Sequence, residues 1–206
     1  MNPIALTHAS KRLSWLLRHG AGETGLPMDP AGWVPVEAVL RALNIPESSL
    51  DQVVRENNKG RLELREGRVR ACQGHSTEAM PVTREALEAS WTEEPRTDLC
   101  WHGTSLAHLD AIDREGLTSQ ARTHVHLAEE TDSKVGKRAG VDVLLAIDPE
   151  RLRARGLKLY RSPNGVLLVR AVPRDCIVAA RAVSRNARAR EAEVTTRFGS
   201  DPQGQR

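Results

Sequence analysis

Aromatic side chains are scarce in this chain: four Trp, one Tyr and one Phe make up 3% of 206 residues. That argues against a binding surface built from bases stacked on aromatic side chains. Cysteine is sparse too. Cys72, Cys100 and Cys176 are odd in number and widely spaced, with no C-x-x-C pair, so they read as reduced, mostly buried thiols of a cytosolic protein. The chain lacks the run of about 18 apolar residues that a membrane span needs. Its first residues, MNPIALTHASKRL, lack the continuous apolar stretch of a secretory signal. The expectation is a cytoplasmic protein. A large charge excess is also missing: a net charge of +3 permits an anionic partner without demanding one.

The hydrophobic residues that are present follow two periods. Leu6, Leu13, Leu16 and Leu17 recur at helical spacing, with Gly20 and Gly22 as a stop. A turn over residues 28–32 leads to a short extended segment, Trp33-Val34-Pro35. A second helix carries Val36, Val39, Leu40 and Leu43. A third starts near Ser48 or Ser49, with Gln52 placed for a capping box, and carries Leu50, Val53 and Val54. The period then changes: Leu62 and Leu64, then Val69 and Ala71, alternate with other residues around a Glu66-Gly67 turn. Three helices and a β-hairpin suggest a winged-helix module over residues 1–76.

Residues 77–97, rich in Glu and Pro, read as a linker with a helical stretch around Ala86 to Trp91. The second half is strand-rich, with short apolar runs at 99–101, 124–127, 143–147 and 165–169. A helix from Ser105 to Glu115 is stopped by Gly116, and Asp148-Pro149 opens another. Residues 185–206 are polar and Arg-rich and are expected to be disordered.

Several short stretches bring chemistry, each with a purely structural explanation beside it. Arg18-His19 closes the first helix, where any cationic pair complements the dipole. Lys59-Gly60-Arg61 is a turn, although Arg61 begins a strand, a rigid mount for a guanidinium gripping phosphate. Gln73-Gly74-His75-Ser76 is a tight loop and a weak motif. His102-Gly103-Thr104 is a strand–helix turn in which Thr104 or Ser105 can cap the following helix. In Arg122-Thr123-His124-Val125-His126-Leu127, a strand would place Arg122, His124 and His126 on one face, and no carboxylate or Cys set completes a metal site there. Arg161-Ser162-Pro163-Asn164-Gly165-Val166 is ordinary turn chemistry.

In this order, those stretches resemble the NAD-dependent RNA 2′-phosphotransferase family, enzymes that remove a 2′-phosphate left at a tRNA splice junction. The resemblance runs from Ser10-Lys11-Arg12-Leu13-Ser14-Trp15-Leu16-Leu17-Arg18-His19 through Asp29-Pro30-Ala31-Gly32-Trp33-Val34 and Asn58-Lys59-Gly60-Arg61. It continues through residues 70–76, 102–104 and 122–127 to Tyr160-Arg161-Ser162-Pro163-Asn164-Gly165-Val166. It implies an α+β fold in which the winged-helix lobe joins an ADP-ribosyltransferase-like NAD-binding lobe over residues 98–184, with the site in the cleft between them. The family's catalytic set falls on Arg18, His19, Arg61 and Arg122. NAD contacts fall on His102, Gly103, Thr104, His126, Ser162 and Asn164.

The implied reaction begins when the RNA 2′-phosphate attacks the anomeric carbon of the NAD ribose and expels nicotinamide. A hydroxyl of that ribose then attacks phosphorus, releasing RNA with a 2′-OH and ADP-ribose 1″,2″-cyclic phosphate. Arg122, expected in the NAD lobe, would steady the 2′-phosphate in the first step, and His19 would act as acid or base in the second. No metal is expected, and the enzyme is expected to act as a monomer on RNA bearing a 2′-phosphate. Two departures from the family wording, Asn58 and Leu62 around Arg61 and the Lys134-Val135-Gly136-Lys137-Arg138 segment, bear on substrate fit. The competing readings are an ADP-ribosyltransferase that modifies nucleic-acid ends or a small acceptor, and a winged-helix binding protein with an inert second lobe.

Overall fold

The structure is a computed structural model and describes residues 3–57, 60–133 and 140–200. It is a mixed α+β chain in two compact units. The first comprises Met1–Thr92, Gln120–Thr123 and Ser162–Asn164; the second comprises Glu93–Ser119, His124–Arg161 and Gly165–Arg206.

In the first unit, α1 (Pro3–Trp15) begins on a proline, whose missing N–H costs nothing in a first helical turn. The helix then widens into a π turn, Leu16–Gly20, where hydrogen bonds run i→i+5. Leu13, Leu16 and Leu17 pack in one core with Val39, Leu50 and Val69. That core is completed by α2 (Val36–Leu43), closed by Asn44 at φ 51°, and by α3 (Glu47–Arg55). The capping box expected for α3 does not form. The helix starts one or two residues earlier, at Glu47 behind Pro46, and Gln52 Nε2 donates to Glu56 Oε1 at 3.0 Å.

Strands β2 (Leu62–Arg65) and β3 (Arg68–Ala71) form the hairpin, with Leu64 opposite Val69 and β1 (Val34–Pro35) added on the far side of β3. Both turn residues, Glu66 and Gly67, have positive φ, the backbone of a two-residue turn that matches strand twist. Residues 77–92, most of the expected 77–97 linker, group with the first unit, and a helical stretch is present there as expected. They hold α4 (Arg84–Ala89), capped by the Thr83 hydroxyl, and bury Leu87 and Trp91. Trp91 Nε1 donates to Cys72 O at 3.0 Å.

The chain enters the second unit along β4 (Thr92–Glu93). One sheet of that unit has β5 (Cys100–Thr104) and β12 (Ile177–Ala182) flanking the fully buried β8 (Val143–Ile147). Another includes β7 (Val125–Leu127), β9 (Tyr160–Arg161) and β10 (Leu167–Val169). Inward residues of both sheets share a core: Leu145 and Ile147 from one, Leu127 and Leu167 from the other. A short pair, β6 (Leu117–Thr118) with β11 (Ala171–Val172), lies beside them. The expected 105–115 helix is split into a 3₁₀ turn, Leu106–His108, and α5 (Leu109–Glu115); Leu106 N is capped by Asp142 Oδ2 at 3.1 Å, not by Thr104 or Ser105. Asp148 does cap α6 (Pro149–Ala154).

The Arg-rich segment expected to be disordered is helical over most of its length. It forms α7 (Arg185–Arg188) and α8 (Glu191–Phe198), and Ala187, Val194 and Phe198 enter the second core. Its apolar residues are few, but these three are buried, which composition alone does not reveal. Residues 201–206 lie outside the described range. Among the described residues, no helix is long and apolar enough to cross a membrane.

Candidate active site

Arg18 and His19 lie in the π turn, a more specific setting than the helix end the sequence indicated. Residue 76 holds both: Ser76 N donates to Arg18 O at 2.9 Å, and Ser76 Oγ lies 2.7 Å from His19 Nδ1. Gly74 has φ +92°, a backbone conformation that side chains rarely adopt, and a Cβ there would be in ordinary contact with Arg18 Nε at 3.4 Å.

Arg61 is held from both sides. Its N–H donates to Asn57 Oδ1 at 3.0 Å and its carbonyl accepts from Cys72 N at 2.9 Å, which extends the hairpin ladder by one residue. The Cys72 thiol donates to Gly60 O at 3.3 Å. Burial, then Glu63, push that thiol up to about 11, so it keeps its proton at neutral pH. Asn58 and Lys59, and the 134–138 segment, lie outside the described residues.

Arg122 does not belong with the second unit, as its neighbourhood in the sequence suggested. The strand is only Val125–Leu127, whereas Arg122 forms a β-bridge with Ser76. Thr77 N donates to Ala121 O and Thr123 N to His75 O, each at 3.0 Å. Arg84 Nε donates to Thr123 O, also at 3.0 Å. These bonds carry residues 120–123 into the first unit. His124 is buried and His126 half-buried, so the three side chains do not form one exposed face. Among the described residues, no three His, Cys, Asp or Glu gather as metal ligands.

Arg18, His19, Arg61 and Arg122 are therefore all assembled in one unit, and their charges act on one another. The Arg18 guanidinium is pushed down to about 10, by burial first and then by Arg61 and Arg122. His19 is held below its ordinary 6.5 by burial, Arg18 and Arg122. Arg18 Nε and Nη2 are buried and have no hydrogen-bond partner among the described residues. An open cavity of about 280 Å³ is lined by Ser10, Lys11, Ser14, Trp15, Arg18, His19 and Arg61, with no carboxylate among them. Unpaired buried donors are costly, and an anion in the cavity that Arg18 lines would offset its charge.

The remaining candidates divide between the units. In the second, His102 Nδ1 lies 3.0 Å from His126 O, which orients the ring and marks Nδ1 as the protonated nitrogen. Gly103 is needed for packing, since a Cβ there would meet Val141 Cγ2 at 2.6 Å, and Thr104 is buried. Ser162 and Asn164 belong to the first unit. Ser162 Oγ donates to Asn164 Oδ1 at 2.9 Å, and Asn164 Cβ would lie 3.5 Å from a Cβ on Gly60. They are thus neighbours of the Arg61 loop and are not grouped with His102 and His126.

The sequence matches the family described as "RNA 2′-phosphotransferase, Tpt1 / KptA family" over residues 5–171, a range that includes every candidate residue. The chain belongs to the RNA 2′-phosphotransferase family. A probable RNA 2′-phosphotransferase of Pseudomonas savastanoi pv. phaseolicola is 38% identical over 190 residues, covering 88% of this chain and 97% of that protein. Another, from Pseudomonas syringae pv. tomato, is 39% identical over 182 residues, covering 84% and 94%. One from Thermococcus kodakarensis is 35% identical over 179 residues, covering 83% and 95%.

In this family member the supporting residues were harder to read than the arginines. Ser76 and Gly74 sit in a loop that is weak as a motif, Cys72 falls in the 70–76 stretch without a role assigned to it, and Asn57 lies outside every motif. Their signal is positional: each lies within a few residues of an element end whose backbone groups need partners.

Proposed function

We propose that this chain is an NAD-dependent RNA 2′-phosphotransferase that moves an internal 2′-phosphate of RNA onto NAD, leaving a 2′-OH. The observation that carries the reading is the anion site of the first unit. Its lining contains no carboxylate, and Arg18 contributes two buried N–H groups without partners. The order of three helices and a hairpin supports a winged-helix reading of the first unit, and the two-sheet core supports an ADP-ribosyltransferase-like reading of the second. The three buried free thiols are consistent with a cytoplasmic enzyme.

The His102 ring suits the cosubstrate. The His126 carbonyl holds Nδ1 and fixes the orientation of the ring beside the proposed cosubstrate. NAD, when bound, supplies the anomeric carbon that takes the phosphate, a neighbouring hydroxyl for the second displacement, and nicotinamide as leaving group.

The chain's own residues handle charge and protons. Arg122 steadies the 2′-phosphate oxygens for the first attack, and Arg18 and Arg61 neutralise the phosphoryl oxygens in both steps. Even at about 10, the Arg18 guanidinium is protonated at neutral pH. His19 starts neutral, because burial and two arginines disfavour its charged form. It can therefore take the proton of the attacking hydroxyl as the new P–O bond forms. That proton then goes to the RNA 2′-oxygen as the old P–O bond breaks.

The test is incubation with NAD and an RNA oligonucleotide bearing one internal 2′-phosphate, with all products resolved by mass. Expected are 2′-OH RNA, free nicotinamide and ADP-ribose 1″,2″-cyclic phosphate. RNA that keeps its phosphate, or that ends with ADP-ribose attached, would refute the proposal.

A further inference from the structure

One aromatic ring of this aromatic-poor chain is left in the open. Trp91, Trp101 and Phe198 are buried and Trp33 and Tyr160 half-buried, whereas Trp15 is 51% exposed. The π turn sets its position. Gly20 lies five residues on, the separation that the i→i+5 pattern brings together. A Cβ on Gly20 would come within 2.5 Å of Trp15 Cζ3 and 2.7 Å of Cη2, so the indole is braced on bare backbone. Any larger residue at position 20 would push the ring away.

The same ring lines the cavity that contains Arg18, His19 and Arg61, and α1 adds Ser10, Lys11 and Ser14 to that lining. A braced, exposed indole beside a carboxylate-free basic cavity matches what single-stranded nucleic acid requires: a flat π face for a base and cations for its backbone. The scarcity of aromatics argues against base stacking, but the exposure of Trp15 leaves one platform for it.

We propose that Trp15 stacks on a base next to the 2′-phosphorylated nucleotide, with Lys11 taking a backbone phosphate of the same strand. The inference rests on reading the first unit as the 2′-phosphate site, and it identifies the preferred substrate as a single-stranded or unstacked segment. Because every base has a π face, the contact positions the strand without selecting its sequence.

Fluorescence anisotropy with a short RNA oligonucleotide carrying one internal 2′-phosphate, without NAD, reads binding apart from turnover. Trp15→Leu should weaken binding on the order of 5- to 100-fold, the usual range for one lost base–aromatic stack. Trp15→Phe should restore most of it, with the melting temperatures of both variants near that of the original protein. An abasic sugar placed at each position in turn should cost the original protein that same factor at one position, and cost Trp15→Leu nothing there. Unchanged binding by Trp15→Leu, or a loss that no abasic position abolishes, would overturn the proposal. The second pattern would indicate that the ring is needed for something other than a base. Failure of the enzymatic reading would look different: Trp15-dependent binding would persist while added NAD left the 2′-phosphate in place.

Discussion

His19 Nδ1 lies 2.7 Å from Ser76 Oγ, while the backbone N–H of the same serine donates to Arg18 O at 2.9 Å. Ser76 thus positions both residues of the Arg-His pair, one through its side chain and the other through its backbone. With Nδ1 engaged, Nε2 is the nitrogen left for substrate. Ser76→Ala removes only the side-chain bond. A fall in kcat of roughly 3- to 10-fold is expected, as for one net hydrogen bond, with little change in KM for NAD.

His19 should titrate below 6.5, because burial, Arg18 and Arg122 all disfavour its cation. Its folded pKa lies below its unfolded one, so its contribution to stability is complete above 6.5 and is lost as pH falls through the folded value. As a proton acceptor it loses competence in the same direction, so kcat should fall on the acid side. Arg122→Gln removes one cause and should move the imidazole midpoint upward. NMR titration of the ring measures this directly, and an unmoved midpoint would contradict the assigned coupling.

Arg18 carries buried donors without partners and is crowded by Arg61 and Arg122. Inorganic phosphate should therefore raise the melting temperature, by the equivalent of about 2.7 kcal/mol at a hundredfold excess over Kd. Arg18→Met should melt higher than the original protein without phosphate, because a buried like-charge contact is gone, and should show little phosphate response. The comparison needs only thermal scans.

Gly74→Ala should separate stability from activity. Its φ of +92° is strained for any side chain, at a cost of about 1–3 kcal/mol, whereas the added Cβ would meet Arg18 Nε at 3.4 Å, an ordinary contact. A less stable enzyme that keeps most of its activity is expected, assayed by circular dichroism and product release together.

Phe198 is buried in the second core with the Arg174 guanidinium 4.5 Å from its ring centre. Phe198→Ala should cost about 3–5 kcal/mol, as for other buried aromatic truncations. A melting curve that did not shift would favour the disordered tail suggested by composition.

Much of the first unit was legible because its signals are local. Helical spacing marked α1 and α2, and alternation about Glu66-Gly67 marked the hairpin. The π turn was not legible, because it depends on how Trp15 packs over Gly20 and how Ser76 bonds to Arg18. Arg122 was misplaced for a related reason: its sequence neighbours include strand β7, but its backbone partners lie near residue 76. The chain by itself determined which residues could handle a phosphate, since Arg and His carry that chemistry wherever they lie. Only tertiary structure decided that all four belong to the first unit. Arg61 is held by bonds from in and beside its own hairpin. Bonds between segments more than forty residues apart hold Arg18, His19 and the 120–123 segment, and no local periodicity records such bonds.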